Sequence, residues 1–228
     1  MTYGARAERR YVALDLARDG ALVWSSDTAN RASGASARPH FLCAPVFTPR
    51  GLATLAYSEG AIALVLYDQR AGRMVWRQPL VEIDDDPESN RPLAEYGGAI
   101  ASDGHRVYCA TGAGVLACVD LLRGEIAWLA RYPIDQEEYD SARSQSRRRA
   151  LLGVVGDDRT TMWRRPRLCL ASGLVIVASP ESRALTALDR LDGDRRWVQR
   201  RSDPLDVAGR TQEELLVLAR GRLIALDA

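Results

Sequence analysis

Acidic side chains that recur at a fixed place are the residues of this sequence with the clearest chemical potential. Five aspartates each follow a short apolar run, and four of them are followed by a glycine and then a tryptophan: Asp15, Gly20, Trp24; Asp68, Gly72, Trp76; Asp120, Gly124, Trp128; Asp189, Gly193, Trp197; and Asp227. An aspartate at the start of a tight turn accepts hydrogen bonds from the turn amides. We therefore predict that these aspartates build turns and that none is a catalytic acid.

Other combinations that could support catalysis or cation binding are incomplete. The only histidines, His40 and His105, lie far apart, and Ser102 near His105 has no third residue to orient a triad. The run Asp84–Asp86 lacks the interleaved glycines of a hard-cation loop. We interpret that run as a solvated loop, and we predict no catalytic residue and no metal ligand.

The four cysteines, Cys43, Cys109, Cys118 and Cys169, show no metal-type spacing, which favours structural thiols. One alternative stays open. If the turn after Thr111 centres on residues 113–114, Cys109 and Cys118 lie opposite each other in a hairpin and could form a disulfide in an oxidising compartment.

Composition excludes several broad classes of protein. The 228 residues contain 31 basic and 30 acidic side chains for a net charge of +1, which argues against general attraction to nucleic acid or anionic lipid. No apolar run reaches the length of a membrane span, and the first ten residues lack the apolar stretch of a signal peptide. Composition names no partner.

The tryptophans define a repeat, because their spacings are 52, 52 and 69 residues. Each copy has an apolar strand that ends at the aspartate, a turn with glycine at positive φ, and a second strand containing the tryptophan. Two further short apolar runs precede each complete hairpin. Four short strands per fifty residues predict an all-β fold, a β-propeller of four-stranded antiparallel blades.

The same pattern predicts one domain, 1–228, with three full blades and two partial ones. The full blades span about 40–80, 93–131 and 166–200, and the partial blades span about 1–27 and 205–228. We place the tryptophans in the wedge between neighbouring sheets. Because two third-type strands compete for one place in any closed ring, the pattern favours an arc of a longer propeller.

An inserted loop, 132–165, accounts for the longer third spacing. Its polar part contains a candidate interaction cluster of arginines and one tryptophan: Arg147, Arg148, Arg149, Trp163, Arg164 and Arg165. Insertions on repeat proteins gather on binding faces, although charged runs are commonly just solvated. Both interpretations remain open.

With aspartate, glycine and tryptophan at these spacings, the chain resembles the pyrroloquinoline-quinone (PQQ)-type propeller family, which includes quinoprotein dehydrogenases and BamB-type propellers. The resemblance runs from Tyr11 to Asp227. The family usually has threonine before the motif glycine, where this chain has Asp19, Ala71, Arg123 and Asp192. The adjacent cysteines and calcium ligands of the dehydrogenase branch have no match here.

The resemblance therefore implies a non-catalytic interaction scaffold or ligand-binding surface, in a periplasmic or other extracytoplasmic setting. A cytoplasmic location is not excluded by the sequence. The expected partners are proteins or further blades, without nucleic acid, and no cofactor is predicted. Two alternatives remain: a segment of a PQQ- and calcium-dependent dehydrogenase whose site lies in other blades, and a sensor or carbohydrate-recognition module of a larger surface protein.

Overall fold

The computed structural model describes residues 10–26, 39–83, 97–133, 166–179, 182, 184–200, 206–211, 214–219 and 222–227. These residues form strands and one 3-10 turn, Leu16–Arg18. In chain order the strands are β1 (Val12–Asp15), β2 (Ala21–Ser25), β3 (His40–Phe41), β4 (Val46–Thr48), β5 (Gly51–Ser58), β6 (Ala61–Tyr67), β7 (Met74–Glu82), β8 (Ala99–Ser102), β9 (Arg106–Ala110), β10 (Val115–Asp120), β11 (Glu125–Arg131), β12 (Arg167–Ala171), β13 (Leu174–Ala178), β14 (Ala184–Asp189), β15 (Arg195–Arg200), β16 (Asp206–Arg210), β17 (Glu214–Ala219) and β18 (Arg222–Asp227).

The strands pair into five antiparallel sheets that follow chain order. The first sheet is β1-β2, the second is β3-β5-β6-β7 with β4 also on β5, and the third is β8-β9-β10-β11. The fourth is β12-β13-β14-β15 and the fifth is β16-β17-β18. Three sheets of four-stranded design thus stand between a two-stranded and a three-stranded one, so the predicted all-β set of antiparallel blades is confirmed.

Buried side chains lie between consecutive sheets, because alternate residues of a strand point to opposite faces. Leu64 and Leu66 of the second sheet pack with Val107 and Val119 of the third in one buried cluster. Equivalent clusters join the third sheet to the fourth and the fourth to the fifth. Each sheet therefore rests on its neighbours, as in the blades of a propeller.

The sequence predicted one continuous first strand for the second sheet, at residues 41–47, and the structure shows two shorter strands there. The run is divided into β3 and β4, with Leu42–Pro45 between them. Pro45 has no N–H to give to the ladder, and the carbonyl of Cys43 accepts a hydrogen bond from the hydroxyl of Tyr11, the residue before β1. The break in the strand is therefore one of the places where the N-terminal hairpin contacts the second sheet.

The suggested pairing of Cys109 with Cys118 is wrong. The β9–β10 register places Cys109 opposite Ala117 and Cys118 opposite Tyr108. This offset of one residue turns the two thiols to opposite faces of the third sheet, where they enter different apolar clusters. Both thiols are free.

Strand direction gives every sheet two distinct ends. The turn end contains the motif turns at 15–20, 68–72, 120–124 and 189–193, and the connection end is where the chain passes from each outermost strand to the next sheet. All four passages, at 26–39, 83–98, 132–166 and 201–205, leave from the connection end. Within the described ranges, no helix is long and apolar enough to cross a membrane.

Candidate functional site

The motif aspartates shape the turn end by bonding the backbone that follows them. The carboxylate of Asp68 accepts from the N–H groups of Arg70 and Ala71 at 2.9 and 2.6 Å. The Gly72 N–H donates to the carbonyl of Asp68 at 2.8 Å, and Gly72 has a φ of 66°. Asp120 bonds its turn in the same way, and Asp15 and Asp189 each accept one turn amide. These carboxylates are occupied by their own turns.

Three of the motif glycines, Gly72, Gly124 and Gly193, are also the platforms on which a tryptophan of the preceding sheet rests. A Cβ on Gly72 would lie 2.5 Å from the ring of Trp24. The equivalent distance is 3.2 Å from Gly124 to Trp76 and 2.6 Å from Gly193 to Trp128. Real Cβ atoms do not tolerate the shorter of these contacts, so the glycine is required twice, for positive φ and for the close approach of the ring.

Hydrogen bonds fix two of these rings. The indole N–H of Trp24 donates to the carbonyl of Gln69 at 3.0 Å, and that of Trp128 donates to the carbonyl of Arg190 at 3.1 Å. Gln69 and Arg190 both come directly after a motif aspartate. The turn that an aspartate builds therefore presents both a flat glycine and a carbonyl to the next tryptophan.

A β-bulge lies beside each of the four motif tryptophans. All four motif hairpins change register at the same place. The shift follows the residue that lies two positions before the motif aspartate in the sequence. That residue lies opposite the tryptophan in each hairpin, as in the pairs Ala13–Trp24, Leu66–Trp76, Cys118–Trp128 and Ala187–Trp197. A bulge increases local twist and re-aims side chains, which accounts for the rings of Trp24, Trp76 and Trp128 facing the glycine of the next sheet.

A polar cluster joins the third and fourth sheets at the turn end. Arg190 forms an ion pair with the Asp103 carboxylate, and its Nε lies 3.4 Å from the Tyr108 hydroxyl. The Tyr108 hydroxyl donates to Asp103 at 3.1 Å, and the guanidinium lies 5.6 Å from the centre of the Tyr108 ring. Arg106 donates to the carbonyl of Arg190 at 3.1 Å. We call Asp103, Tyr108, Arg190 and Arg106 the polar junction.

The carboxylate of the polar junction is held in its charged form. Burial alone would raise the pKa of Asp103, but hydrogen bonds from the Arg106 and His105 backbone and from Arg190 and Tyr108 lower it to about 2. Burial raises the pKa of Tyr108. The pKa of Arg190 is also raised, because its guanidinium is hydrogen-bonded to Tyr108. The ionised carboxylate, the guanidinium and the Tyr108 hydroxyl hold the third and fourth sheets together by charge and hydrogen bonding.

The remaining candidate groups do not meet. His40 begins β3 at the connection end, whereas His105 lies in the β8–β9 turn at the turn end. Among the described residues, no group of three or more histidine, cysteine or acidic side chains could hold a metal ion. Burial raises the pKa of Cys109 well above its ordinary value and raises that of Cys118 to about 11, which favours the protonated thiol at both positions.

Several predicted positions fall outside the described residues. These are the interaction cluster Arg147, Arg148, Arg149, Trp163, Arg164 and Arg165, and the acidic run 84–86. Asp227 ends β18 opposite Glu214, and its side chain is not among those described. A shallow cavity of about 570 Å³, lined by Pro133, Arg195, Val198 and Arg200, lies where the chain leaves the third sheet toward the inserted loop.

A family model described as outer membrane protein assembly factor BamB matches residues 1–131 and again residues 58–228. The chain belongs to this BamB family of PQQ-type repeat proteins. The two matches overlap over residues 58–131. Overlap of this kind is expected when one repeating unit can be aligned in more than one register. A search of the curated proteins returned no match.

Solved structures of similar shape confirm the propeller architecture of this BamB-family chain. BamB from Moraxella catarrhalis superimposes with a TM-score of 0.55 at 16% identity, over 91% of this chain and 49% of that one. Hsv2 from Kluyvelomyces marxianus gives 0.52 at 12% identity, over 97% of this chain and 54% of that one. The chain thus spans about half the length of these two proteins. The computationally designed Ika4 protein gives 0.50 at 9% identity, over 85% of this chain and 94% of that one.

The sequence offered partial signals for this geometry. Glycine and tryptophan at a constant spacing identified both partners, but the contact joins tryptophan to the glycine of the next repeat, and the spacing within one repeat cannot reveal that. The polar junction was missed altogether. Its ion pair joins residues 87 apart and occurs at one junction, so no periodicity marks it.

Proposed function

We propose that this BamB-family chain is a non-catalytic propeller scaffold that binds a protein partner at its connection end, outside the cytoplasm. The observation that supports this most is the asymmetry of the two ends. Short turns occupy the turn end, and their carboxylates and glycines are committed to the turns and to tryptophan docking. The connection end bears the passages between sheets, of which those at 26–39, 83–98 and 132–166 are long, and long loops are where repeat proteins commonly bind.

The inserted loop is the proposed centre of that surface. It leaves the third sheet at Pro133, beside Arg195 and Arg200 of the cavity described above, and it contains the arginine cluster of residues 147–149. Guanidinium groups pair with carboxylates in fixed geometry, which suits an acidic protein surface. The family description, outer membrane protein assembly factor, supports both a protein partner and an extracytoplasmic setting.

Charge reversal tests this proposal. In cells that express the protein with an export signal, cross-linked partners are quantified for the wild type and for the triple variant Arg147→Glu, Arg148→Glu, Arg149→Glu. The control reverses three exposed arginines of the turn end: Arg70, Arg73 and Arg123. We expect the first variant to lose the cross-linked partner and the control to keep it. Equal capture by both variants would remove the inserted loop from the account.

The dehydrogenase alternative has a separate test. Calorimetry with PQQ and calcium should give no heat of binding to the folded protein. A PQQ- and calcium-dependent reduction of an artificial electron acceptor would replace the scaffold proposal with a redox function.

A further inference from the structure

The outer edge of the fourth sheet is available for strand pairing. β15 is the outermost strand there, as β7 and β11 are in the second and third sheets, and each of these strands has one edge that no described strand pairs. The blades of a propeller stack face to face, so further blades would leave such an edge exposed. An outer edge presents backbone N–H and C=O groups that can pair with another strand.

Three positions of each outermost strand face the preceding sheet, at the same register in all three sheets. They pair with the residues one, three and five places before the motif aspartate. In the fourth sheet these positions hold Arg195, Val198 and Arg200, which we call the basic row. Of the three rows, only this one has arginine at both ends. The equivalent residues are Met74, Arg77 and Pro79 in the second sheet and Ile126, Leu129 and Arg131 in the third.

The two arginines of the basic row have a fixed spacing. Their partners on β14, Leu188 and Ala184, are four residues apart, because the bulge after Ala187 takes up the extra residue of β15. At about 3.3 Å per residue, the two backbone positions are about 13 Å apart. Val198 stands between them, and the row lines the shallow cavity together with Pro133.

The charge of the basic row is not neutralised by the part of the chain that the structure describes. The ion pairs shown in this sheet use Arg190 and Arg196, and no described acid pairs with Arg195 or Arg200. Both arginines of the row are exposed, and Val198 is 37% exposed. The row therefore presents a positive charge at each end and an apolar side chain in the middle.

We propose that the basic row binds an extended segment of the protein partner with an acidic, an apolar and an acidic residue at alternate positions. The segment adds to β15 as a fifth strand, so its backbone pairs with the free edge. Its carboxylates pair with Arg195 and Arg200, and its apolar side chain lies against Val198. This inference rests on the proposed scaffold function and specifies the chemistry of the partner.

A designed peptide tests this pattern without the partner. The probe is the fluorescently labelled, amidated peptide Glu-Thr-Val-Thr-Glu, and the control, Thr-Glu-Val-Glu-Thr, has the same composition and charge. Alternate residues of a strand share a face, so only the probe presents two glutamates four residues apart. In fluorescence anisotropy with the full chain, the probe should bind about tenfold more tightly than the control. Equal affinities, or no binding of the probe, would overturn the proposal.

Substitutions in the protein then locate the contact. Arg195→Gln and Arg200→Gln each remove one exposed charge of the row, and each should weaken binding of the probe about tenfold. Arg131→Gln removes the equivalent of Arg200 from the third sheet, whose row has no second arginine, and should leave the affinity unchanged. The same loss in all three variants would indicate general attraction between charges and would overturn the assignment to the basic row.

Hydrogen exchange identifies what occupies the edge. In the protein alone, the β15 amides that do not donate to β14 should exchange quickly, and the probe should protect them. Protection that is already present without the probe would overturn the proposal. If dilution removed that protection, a second copy would occupy the edge. If dilution did not, a segment of the chain itself would do so, and the acidic stretch 135–140 would be the first to examine.

This proposal and the scaffold proposal fail separately. The peptide test uses no partner, so a failure to bind the probe leaves the cross-linking result for the inserted loop unchanged. The triple variant at residues 147–149 should keep its affinity for the probe. Loss of probe binding in that variant would place the peptide on the inserted loop and would overturn the assignment to the basic row.

Discussion

Two junctions of the same design hold their sheets together by different means. Between the second and third sheets, Leu121 follows the motif aspartate and lies 2% exposed in an apolar cluster. Between the third and fourth sheets, Arg190 occupies the equivalent position and pairs with Asp103 and Tyr108. Both residues donate their backbone N–H to the turn before the second strand of their own sheet, at 3.0 and 2.9 Å. The backbone hydrogen bond is therefore the same at both junctions, whereas the side chain at the position after the motif aspartate differs.

The tryptophan and glycine contact is the part of the repeat that both junctions share. Both junctions have a tryptophan resting on a glycine, Trp76 on Gly124 and Trp128 on Gly193. The side chain after the motif aspartate is apolar at one junction and charged at the other, with neighbouring side chains of matching character. A charge is tolerated at Arg190 because Asp103 and Tyr108 of the preceding sheet meet it. The repeat motif thus fixes docking, and each junction supplies its own complementary contacts.

Replacing the apolar side chain after the motif aspartate with a charged one should have the largest effect on the free energy of unfolding. Leu121→Arg would bury a guanidinium in an apolar cluster with no described acid to meet it, and we expect a loss of about 3–5 kcal/mol in the free energy of unfolding. Leu122→Arg, at the next residue, which is 66% exposed, should change stability by less than about 0.5 kcal/mol. Denaturant unfolding measures both. Equal stability of the two variants would mean that the second junction accepts charge as readily as the third.

The docking platforms give the next largest effect. Gly193→Ala combines the cost of positive φ, about 1–2 kcal/mol, with a clash against the Trp128 ring of about 1–3 kcal/mol. Gly173→Ala, in the same sheet with φ of 73° and open surroundings, should show only the first cost. Gly124→Ala should fall between them, because its ring contact is longer, at 3.2 Å. Thermal or denaturant unfolding that ranks the three variants otherwise would contradict ring docking as the reason for the glycines.

The polar junction should appear as a small dependence of stability on acid. The pKa of Asp103 is lowered from 3.8 to about 2 in the folded protein, so the stability it confers is present above pH 3.8 and is lost as the pH falls toward 2. Because the pair is partly solvated, we expect about 1 kcal/mol. Asp103→Asn should abolish this part of the acid dependence, and Arg190→Gln should reduce it. An unchanged acid profile in both variants would assign the junction no electrostatic role.

The sequence predicted the fold closely because the repeat is encoded locally. Alternating apolar residues and the aspartate and glycine turns located the strands and hairpins, and the repeated aspartate, glycine and tryptophan motif indicated the blades. The strand register was less predictable. The four-residue turn after Ala110 pairs Cys109 with Ala117, one residue short of the predicted pairing with Cys118. The polar junction could not be predicted, because it depends on which residues of two separate sheets face each other after they pack.

The motif tryptophan of one sheet and the motif glycine of the next are expected to act as a single stabilising unit. A double-mutant cycle of Trp128→Ala and Gly193→Ala, with free energies of unfolding measured in denaturant, tests it most directly. Once the ring is removed, Gly193→Ala should cost no more than Gly173→Ala, so the two substitutions should be strongly non-additive. Additive losses would show that the glycine and the tryptophan stabilise the protein independently, and would contradict the docking account.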